Sequence, residues 1–339
     1  MDTSAVDYHL PAEAIAQVPV EPRDAARLLI DEGPGQPPRH GRIPDLADMV
    51  GPGDVVVLNT TRVLAARLRL RRATGGAAEV LLLEPVDDDE PLRWEALVRP
   101  SRKIAPGTAL VAGPDLTVVV GEDLGEGRRI VDLEVHLASE VLDVIARHGK
   151  VPLPPYITTP LADPDRYQTT YADQPGSVAA PTAGLHLTRS LLSAIHLTGA
   201  RLAPVELIVG LGTFRPIATD RIEDHQMHGE RYHVPEATMA ACQAAQRVVA
   251  IGTTTVRALE SAAATGALSG RTELFIHGDR PFALVDALLT NFHQPRSSLL
   301  VLVDAFVGPR WRALYEEALR SGYRFLSFGD AMFLRGGRG

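Results

Sequence analysis

Six short apolar runs between residues 54 and 136 place the strongest constraint on the fold of this 339-residue chain. Clusters of Gly, Pro and Asp separate the runs, and the last run alternates Val131, Leu133 and Val135 with acidic residues. The runs cover residues 55–58, 66–71, 79–83, 94–98, 116–120 and 130–136. Short alternating strands at regular spacing predict a small β-barrel or sandwich.

Helical and strand patterns alternate after this β-rich region. Ser139 is the expected cap of a helix that ends at Gly149, and Thr188 that of a helix closed by Gly199. Further helices are predicted at 236–247, 256–264, 298–306 and 310–320, and strands at 205–209, 248–251 and 323–328. The alternation predicts an α/β fold.

The chain exceeds the length at which one hydrophobic core stops growing, about 250–300 residues. We therefore predict a mixed α/β main domain with an inserted small β-barrel domain. The main domain is expected to be discontinuous, at 1–60 and 150–339, with the barrel at 61–149.

Charge and cysteine content exclude several classes of protein. The net charge of −8 argues against a non-specific nucleic-acid coat protein, although a local basic patch stays possible. A single cysteine, Cys242, excludes an intramolecular disulfide and a cysteine-built metal site. With no leader pattern and no apolar run near 18 residues, we expect a cytoplasmic protein without membrane contact.

Two glycine-containing turns are candidate binding loops. Residues 176–186 form a loop of small residues just before a capped helix, which permits close approach of a ligand to the backbone. Gly252-Thr253-Thr254-Thr255 joins a buried strand to a helix and suits an anion. Ordinary loop structure in the first case, and helix capping by Thr254 or Thr255 in the second, are equally acceptable interpretations.

Other segments carry titratable groups. Residues 224–230 contain His225, His228 and Glu230, which favour proton transfer over a metal site. Asp286 precedes an apolar run and is either a buried catalytic carboxylate or a partner of backbone groups. The arginines of residues 67–71 share one strand face, which is either a solvated face or a phosphate-binding surface.

Taken together, these segments resemble one family, the S-adenosylmethionine:tRNA ribosyltransferase-isomerases of queuosine biosynthesis. The resemblance runs in order along nearly the whole chain. Its most specific blocks are Val178-Ala179-Ala180-Pro181-Thr182-Ala183-Gly184-Leu185-His186 and Gly210-Leu211-Gly212-Thr213-Phe214-Arg215-Pro216.

The resemblance implies an α/β domain with an inserted β-barrel, and it implies the reaction. The ribosyl part of S-adenosylmethionine moves to 7-aminomethyl-7-deazaguanine at the tRNA wobble position and is rearranged to the epoxycyclopentanediol of epoxyqueuosine. Adenine and methionine leave. S-adenosylmethionine and this tRNA are then the expected partners. No metal and no cofactor beyond S-adenosylmethionine as substrate is expected, and the chain is expected to be a monomer.

Residue roles follow from motif position and side-chain chemistry. Proton transfer is assigned to His186, His228 and Asp286, and an orienting role to Glu230. Thr253, Thr254 and Arg257 are expected to hold the ribose or the methionine carboxylate. The remaining substrate-binding candidates are Ser177, Thr182, Gly184, Gly210, Gly212, Thr213, Arg215, Asn291 and His293. The expected tRNA-binding residues are Arg62, Arg67, Arg99, Arg102 and Lys103.

Two alternatives remain open from the sequence. Thr60 stands where the family pattern has Asp, and Ile208 where it usually has His. These departures motivate a catalytically silent tRNA- or nucleotide-binding paralogue. A metal-dependent hydrolase that uses His225, His228 and Glu230 is the second alternative.

Overall fold

A computed structural model describes residues 1–87, 89–136, 140–210 and 216–337. Contacts between Cα atoms divide the chain into two compact units. The first unit comprises Met1–Thr61, Pro154–Gln174 and Ala180–Gly339, and the second comprises Arg62–Leu153 and Pro175–Ala179. Ser139, the predicted helix cap, lies outside the described residues.

The described helices are α1 Val141–His148, α2 Arg189–Leu197, α3 Glu236–Ala244, α4 Thr253–Thr265, α5 Ser298–Val307 and α6 Trp311–Arg320. The described strands are β1 Arg27–Ile30, β2 Arg39–Arg42, β3 Asp54–Asn59, β4 Thr61–Val63, β5 Arg67–Arg72, β6 Ala77–Pro85, β7 Arg93–Arg99, β8 Ala109–Gly113, β9 Leu116–Gly125, β10 Arg128–Val135, β11 Gly149–Lys150, β12 Gln174–Ser177, β13 Arg201–Leu207, β14 Glu230–His233, β15 Arg247–Ile251, β16 Ser269–Thr272, β17 Ala287–Asn291 and β18 Ala331–Arg335.

The first unit is built on a nine-stranded mixed sheet with the order β16-β14-β13-β3-β15-β17-β18-β1-β2. The central strands β13, β3, β15 and β17 are parallel to one another. Such strands are buried on both faces, which explains why β3 and β15 are apolar runs without alternation. On one face Val56 and Ile251 belong to the same core cluster as Leu191 and Ile195 of α2.

The second unit contains a closed antiparallel barrel. Its six strands follow the order β5-β6-β7-β10-β9-β8, and pairing of β5 with β8 closes the ring. Strand alternation fills the interior: Leu68 and Leu70 are buried, whereas Arg69 and Arg71 between and beside them are exposed. The mixed α/β sheet and the small closed barrel confirm the predicted fold class.

One predicted strand is wrong. Residues 323–328 were expected to form the last strand, but the structure has irregular turns there, and β18 follows at Ala331. The apolar pattern arises because Tyr323, Phe325 and Phe328 are buried within the turns. The Asp330 carboxylate organises this segment by accepting hydrogen bonds from the backbone N–H groups of Arg27 and Arg324, each at 2.8 Å.

Candidate functional site

The candidate site lies where the parallel strands of the first unit end. Parallel strands direct their carboxyl ends to the same edge of a sheet, which is where open α/β folds bind ligands. Gly252 follows β15 at this edge, and Asn291 is the last residue of β17. The antiparallel strand β18 begins here too, because Ala331 pairs with Asn291.

Two adjoining cavities lie at this edge, and the empty space in them, open solvent included, is about 380 and 360 Å³. We call the larger one the main cavity and the smaller one the adjacent cavity. The main cavity is lined by residues 180–183, Val209, residues 252–254, Thr290, Asn291, His293 and Leu299. The adjacent cavity shares Thr182, Asn291, His293 and Leu299 with it. The structure therefore brings together residues predicted from four separate motifs.

Asn291 connects the strand end to the small-residue loop. Its Oδ1 atom accepts a hydrogen bond of 2.9 Å from the Thr182 hydroxyl. Its Nδ2 atom lies 3.3 Å from both the Asp330 carbonyl and Nε2 of His186. Since the amide nitrogen is a donor only, this network assigns Nε2 of His186 as the acceptor.

His186 is buried between Asn291 and an arginine-rich cavity. This third cavity, of about 240 Å³, is also lined by Arg23, Arg166 and Ser327. Burial lowers the pKa of His186 from its ordinary 6.5 to about 4; a contact with the backbone of Arg23 opposes the shift, and nearby guanidinium charges add to it. The imidazole is therefore neutral at pH 7.

His293 lines both cavities and is held by several groups. Its Nε2 atom lies 2.8 Å from the Thr290 hydroxyl. Its backbone N–H donates to the Tyr315 hydroxyl at 2.9 Å, and its carbonyl accepts from the Tyr8 hydroxyl at 2.5 Å. Burial lowers the pKa of His293 to about 3, so this ring is neutral too. The sequence analysis identified His293 but not Thr290. A hydroxyl three residues before a histidine, at the end of a predicted strand, could have indicated this contact.

The turn between β15 and α4 forms another wall of the main cavity. Gly252 has φ of +89°, a conformation that favours glycine, and it is the N-cap of α4 without a side-chain hydrogen bond. Thr255 instead donates back to the carbonyl of Ile251 at 2.7 Å. The capping by Thr254 or Thr255 that the sequence left open does not occur, and Thr253 and Thr254 line the cavity.

Glu230 and Arg257 form a buried ion pair beneath Gly210. The guanidinium Nη1 of Arg257 contacts Glu230 Oε2, while the Glu230 Oε1 atom accepts a hydrogen bond of 3.1 Å from the Gly210 N–H. Arg257 therefore has a protein carboxylate as partner, and Glu230 holds the backbone N–H of Gly210. Gly212, Thr213 and Arg215 lie outside the described residues.

Gly184 is needed for close packing within the small-residue loop. A Cβ atom there would lie 2.1 Å from the hydroxyl oxygen of Tyr171 and 3.0 Å from Cγ2 of Thr169. The Tyr171 hydroxyl is buried without a hydrogen-bond partner among the described residues. Gly184 thus allows the loop to pack closely against Tyr171. It is not among the described residues that line the main cavity.

Three predicted residues are placed elsewhere. Asp286 precedes β17 at its amino end, about 16 Å along the strand from Asn291 at ~3.3 Å per residue. Its carboxylate accepts a hydrogen bond of 2.7 Å from the Val248 N–H, which is the structural alternative that the sequence left open. His228 is exposed and lines none of the three cavities described above. Ser177 belongs to the second unit, where its hydroxyl donates to the Ala179 carbonyl at 2.6 Å.

The geometry also tests the metal-site alternative. Burial and the nearby charge of His228 lower the pKa of His225, and the ring of His225 packs edge-on against Phe275 at 5.3 Å. Over the described ranges, no three His, Cys, Asp or Glu side chains are grouped so as to hold a metal ion. His225, His228 and Glu230 therefore do not assemble the site that a metal-dependent hydrolase would need.

The predicted tRNA-binding residues all belong to the second unit. Arg62, Arg99, Arg102 and Lys103 are exposed, and Arg67 is half-buried in an ion pair of 3.0 Å with Glu79. Cross-strand pairing places Glu79 directly opposite Arg99 as well as Arg69.

A buried arginine that sequence reasoning missed supports the turn at Ser101–Lys103. The Nη2 atom of Arg129 donates to the carbonyls of Ser101 and Ile104 at 3.1 and 2.7 Å. No signal in the sequence distinguished Arg129 from the other arginines of the barrel, since its carbonyl partners are 28 and 25 residues away.

Helix length bears on membrane association. Among the helices of the described ranges, none combines the length and the apolar character that crossing a bilayer requires.

Comparison with known proteins gives consistent results. A family model described as queuosine biosynthesis protein matches residues 3–334. The chain is 50% identical over 339 residues to the S-adenosylmethionine:tRNA ribosyltransferase-isomerase of Rubrobacter xylanophilus, an alignment that covers 99% of this chain and 98% of that protein. It is 46% identical over 348 residues to the protein of the same name from Heliobacterium modesticaldum, with 98% and 100% covered. A crystal structure of S-adenosylmethionine tRNA ribosyltransferase from Thermotoga maritima is 36% identical, with 97% and 99% covered and a TM-score of 0.55.

Proposed function

The chain belongs to the queuosine biosynthesis protein family, and we propose that it acts as an S-adenosylmethionine:tRNA ribosyltransferase-isomerase. It transfers the ribosyl moiety of S-adenosylmethionine onto 7-aminomethyl-7-deazaguanine at the tRNA wobble position and isomerises it. The product is epoxyqueuosine-tRNA, and adenine and methionine are released.

The observation that carries this proposal is the convergence of separate motifs on one cavity. Thr182, Thr253, Asn291 and His293 come from distant parts of the chain and line the main cavity together. The main cavity binds S-adenosylmethionine.

The reaction needs a base and an acid in one site. The sulfonium of S-adenosylmethionine acidifies the adjacent ribose C5′–H, a base removes that proton, and adenine is protonated as it leaves. A neutral imidazole accepts a proton where an imidazolium cannot. His293 is the one titratable side chain among the described residues that line the main cavity, so we assign proton transfer there to His293.

His186 acts on the same cavity through Asn291. Its Nε2 lone pair faces the Asn291 amide, and Asn291 lines the cavity. His186 is therefore a positioning residue in this scheme. His228 and Asp286 remain predictions from the sequence, and their positions give them no part in it.

The second unit binds the tRNA. Exposed Arg62, Arg99, Arg102 and Lys103 supply the positive charge that phosphates require, in a chain whose net charge is negative. Arg67 is assigned to the same surface, but it is half-buried and paired with Glu79, so it contributes less free positive charge.

The proposal extends to the cofactor requirement, the cellular location and the oligomeric state. The group transfer is redox-neutral and starts from an activated sulfonium, so the scheme requires no metal and no cofactor beyond S-adenosylmethionine as substrate. The enzyme acts in the cytoplasm, where its tRNA substrate is, and as a monomer.

Adenine release tests the proposal. Purified protein is incubated with S-adenosylmethionine and tRNA that carries 7-aminomethyl-7-deazaguanine, and free adenine is measured. Release is expected with this tRNA and not with the same tRNA carrying guanine. Binding of both substrates without any release would identify the chain as the silent paralogue that Thr60 and Ile208 suggest.

A further inference from the structure

We propose that the N-terminus of α4, with the hydroxyls of Thr253 and Thr254, binds the carboxylate of the methionine part of S-adenosylmethionine. This inference rests on the proposed function and assigns one end of its substrate to one wall of the main cavity. The sequence left the ribose and the carboxylate as equal candidates for these residues.

The first observation is an uncapped helix end that faces a cavity. Helix α4 is 13 residues long, and its N-cap Gly252 provides no side-chain acceptor. The N–H groups of Thr255 and Val256 bond to the Gly252 carbonyl. The N–H groups of Thr253 and Thr254 have no acceptor within the described part of the chain. A helix N-terminus with free N–H groups attracts an anion.

The second observation concerns the two hydroxyls. Thr253 is only 5% exposed and lines the main cavity, yet its side chain forms no hydrogen bond with any described residue. The Thr254 hydroxyl oxygen is also buried and has no partner in the described ranges. Buried hydroxyls normally have partners, so the unpartnered Thr254 oxygen, next to the unpartnered Thr253 side chain that lines the cavity, indicates a ligand that supplies the acceptor.

Arg257 supplies a further hydrogen-bond donor near the same end of the helix, although Glu230 balances its charge. It lies four residues after Thr253, which places both side chains on one face of α4. Its Nη2 atom is buried without a hydrogen-bond partner among described residues, although Nη1 is paired with Glu230. No Asp or Glu is among the described residues that line the main cavity. This end of the cavity therefore favours an anion over a cation.

The chemistry of the substrate identifies the anion. The adenine and ribose of S-adenosylmethionine are neutral, and its sulfonium and ammonium groups are cationic. Its carboxylate is its only anion and stands at one end of the molecule. A tRNA phosphate is the other anion present in the reaction, and the experiment separates these two sources.

Decarboxylated S-adenosylmethionine is a matched probe, because it keeps the sulfonium, ribose and adenine and lacks only the carboxylate. We expect the wild-type protein without tRNA to bind S-adenosylmethionine at least about tenfold more tightly than this analogue. The Thr253→Val/Thr254→Val variant keeps the side-chain shape. It should bind S-adenosylmethionine about tenfold more weakly than the wild type and bind the analogue with unchanged affinity.

Thr265→Val is the control, at the other end of α4, where the hydroxyl donates to the Ser261 carbonyl at 2.9 Å. It should preserve the difference in affinity between the two ligands.

Equal affinity of the wild type for both ligands would overturn the inference. Weakened tRNA binding by the double variant, with S-adenosylmethionine binding unchanged, would also overturn it and assign the helix end to a phosphate. A wild-type protein that discriminates between the ligands but releases no adenine would refute the proposed activity and leave the carboxylate site standing.

Discussion

The Nε2 atom of His186 lies 3.3 Å from the Nδ2 atom of Asn291, and both side chains are more than nine-tenths buried. These residues are 105 positions apart in the chain. Because Asn291 also accepts a hydrogen bond from Thr182, one amide fixes the end of β17 against both ends of the turn Thr182–His186. The shape of the main cavity depends on this three-residue connection.

Replacement of His186 separates a positioning role from proton transfer. His186→Ala removes the acceptor that faces Asn291 and should lower kcat for adenine release about 100-fold or more while the protein stays folded. His186→Gln offers a carbonyl acceptor but cannot carry a proton at neutral pH. Its kcat should recover to within about tenfold of wild type. If His186→Gln is as inactive as His186→Ala, the imidazole itself transfers the proton.

Proton transfer at the main cavity is tested by His293. His293→Ala should lower kcat by roughly 10²–10⁴-fold, the usual contribution of a general acid or base, with a smaller effect on the KM for S-adenosylmethionine. Thr290→Val keeps the ring but removes the hydroxyl beside Nε2, so an intermediate loss is expected. A change confined to KM in both variants would assign His293 to binding alone.

The depressed pKa values of the two histidines predict how stability depends on pH. The unfolded chain protonates each histidine near pH 6.5, whereas the folded protein holds His186 and His293 neutral down to about pH 4 and about pH 3. The unfolded state therefore binds more protons between these values, and the folded state loses stability as pH falls below 6.5. Above pH 6.5 this contribution is complete and constant.

Urea unfolding at pH 7.5 and pH 5 measures the effect. Each histidine should account for about 2 kcal/mol of the loss, at ~1.4 kcal/mol per pH unit for each proton. The matched control is His186→Gln, in which the loss between the two pH values should be about half that of the wild type. An equal loss in this variant would show that other groups cause the pH dependence.

Sequence patterns predicted most elements because those elements follow from local chemistry. Thr188 caps α2 as expected, with its hydroxyl accepting from the Leu191 N–H at 3.2 Å, and Gly266 ends α4 in the left-handed conformation. Five of the six barrel strands were predictable because their alternation is fixed by one buried face, whereas β8 was missed and the run at 55–58 is β3 of the nine-stranded sheet. The apolar run at 323–328 was misleading because buried aromatic side chains pack as well in turns as in a strand.

The functional site was only partly predictable, since its contacts join distant segments. The motifs identified Thr182, Thr253, Asn291 and His293, all of which line the main cavity. The sequence allowed Asp286 to be a partner of backbone groups, which it is, but no pattern indicated at which end of β17 it lies. The ion pair of Glu230 with Arg257 spans 27 residues, and neither its existence nor its link to Gly210 follows from spacing.

This ion pair should be costly to break and less costly to replace. Glu230→Gln leaves the Arg257 guanidinium buried without a carboxylate, and the free energy of unfolding should fall by about 3–5 kcal/mol. The Glu230→Met/Arg257→Met double variant should lose less than Glu230→Gln, because no buried charge remains. Urea denaturation measures both values.

The partly exposed pair of Arg128 with Glu95, at 3.0 Å, is the matched control. Glu95→Gln should cost at most about 1 kcal/mol, as surface ion pairs usually do. Equal losses in the free energy of unfolding for Glu230→Gln and Glu95→Gln would show that burial does not raise the cost of breaking the ion pair. The KM for S-adenosylmethionine should rise in Glu230→Gln alone, because Glu230 also holds the Gly210 N–H.

The turn at Ser101–Lys103 should contribute to tRNA affinity through charge. Arg102→Ala/Lys103→Ala removes two exposed cations, and the slope of log K against log salt should become shallower by roughly 1.4–1.8, at about 0.7–0.9 per phosphate contact. The control variant Arg93→Ala/Arg128→Ala removes two other arginines of the barrel and should leave the slope unchanged. An equal change of the slope in both variants would indicate a general electrostatic attraction between the barrel and tRNA, and not local contacts at Ser101–Lys103.

The contact between Gly184 and Tyr171 allows a test by suppression. Gly184→Ala places a Cβ atom 2.1 Å from the Tyr171 hydroxyl oxygen, and overpacking of this kind costs about 1–3 kcal/mol. Tyr171→Phe alone should be nearly neutral, because the hydroxyl it removes is buried without a partner among the described residues. The double variant should be more stable, by at least ~0.5 kcal/mol in free energy of unfolding, than the sum of the two single effects predicts, as expected for residues in direct contact.

Additive losses in urea unfolding would place the strain of Gly184→Ala elsewhere, at Thr169, whose Cγ2 would lie 3.0 Å from the new methyl group. Recovered stability with recovered adenine release would show that the loop needs glycine for space beside Tyr171 and not for contact with substrate.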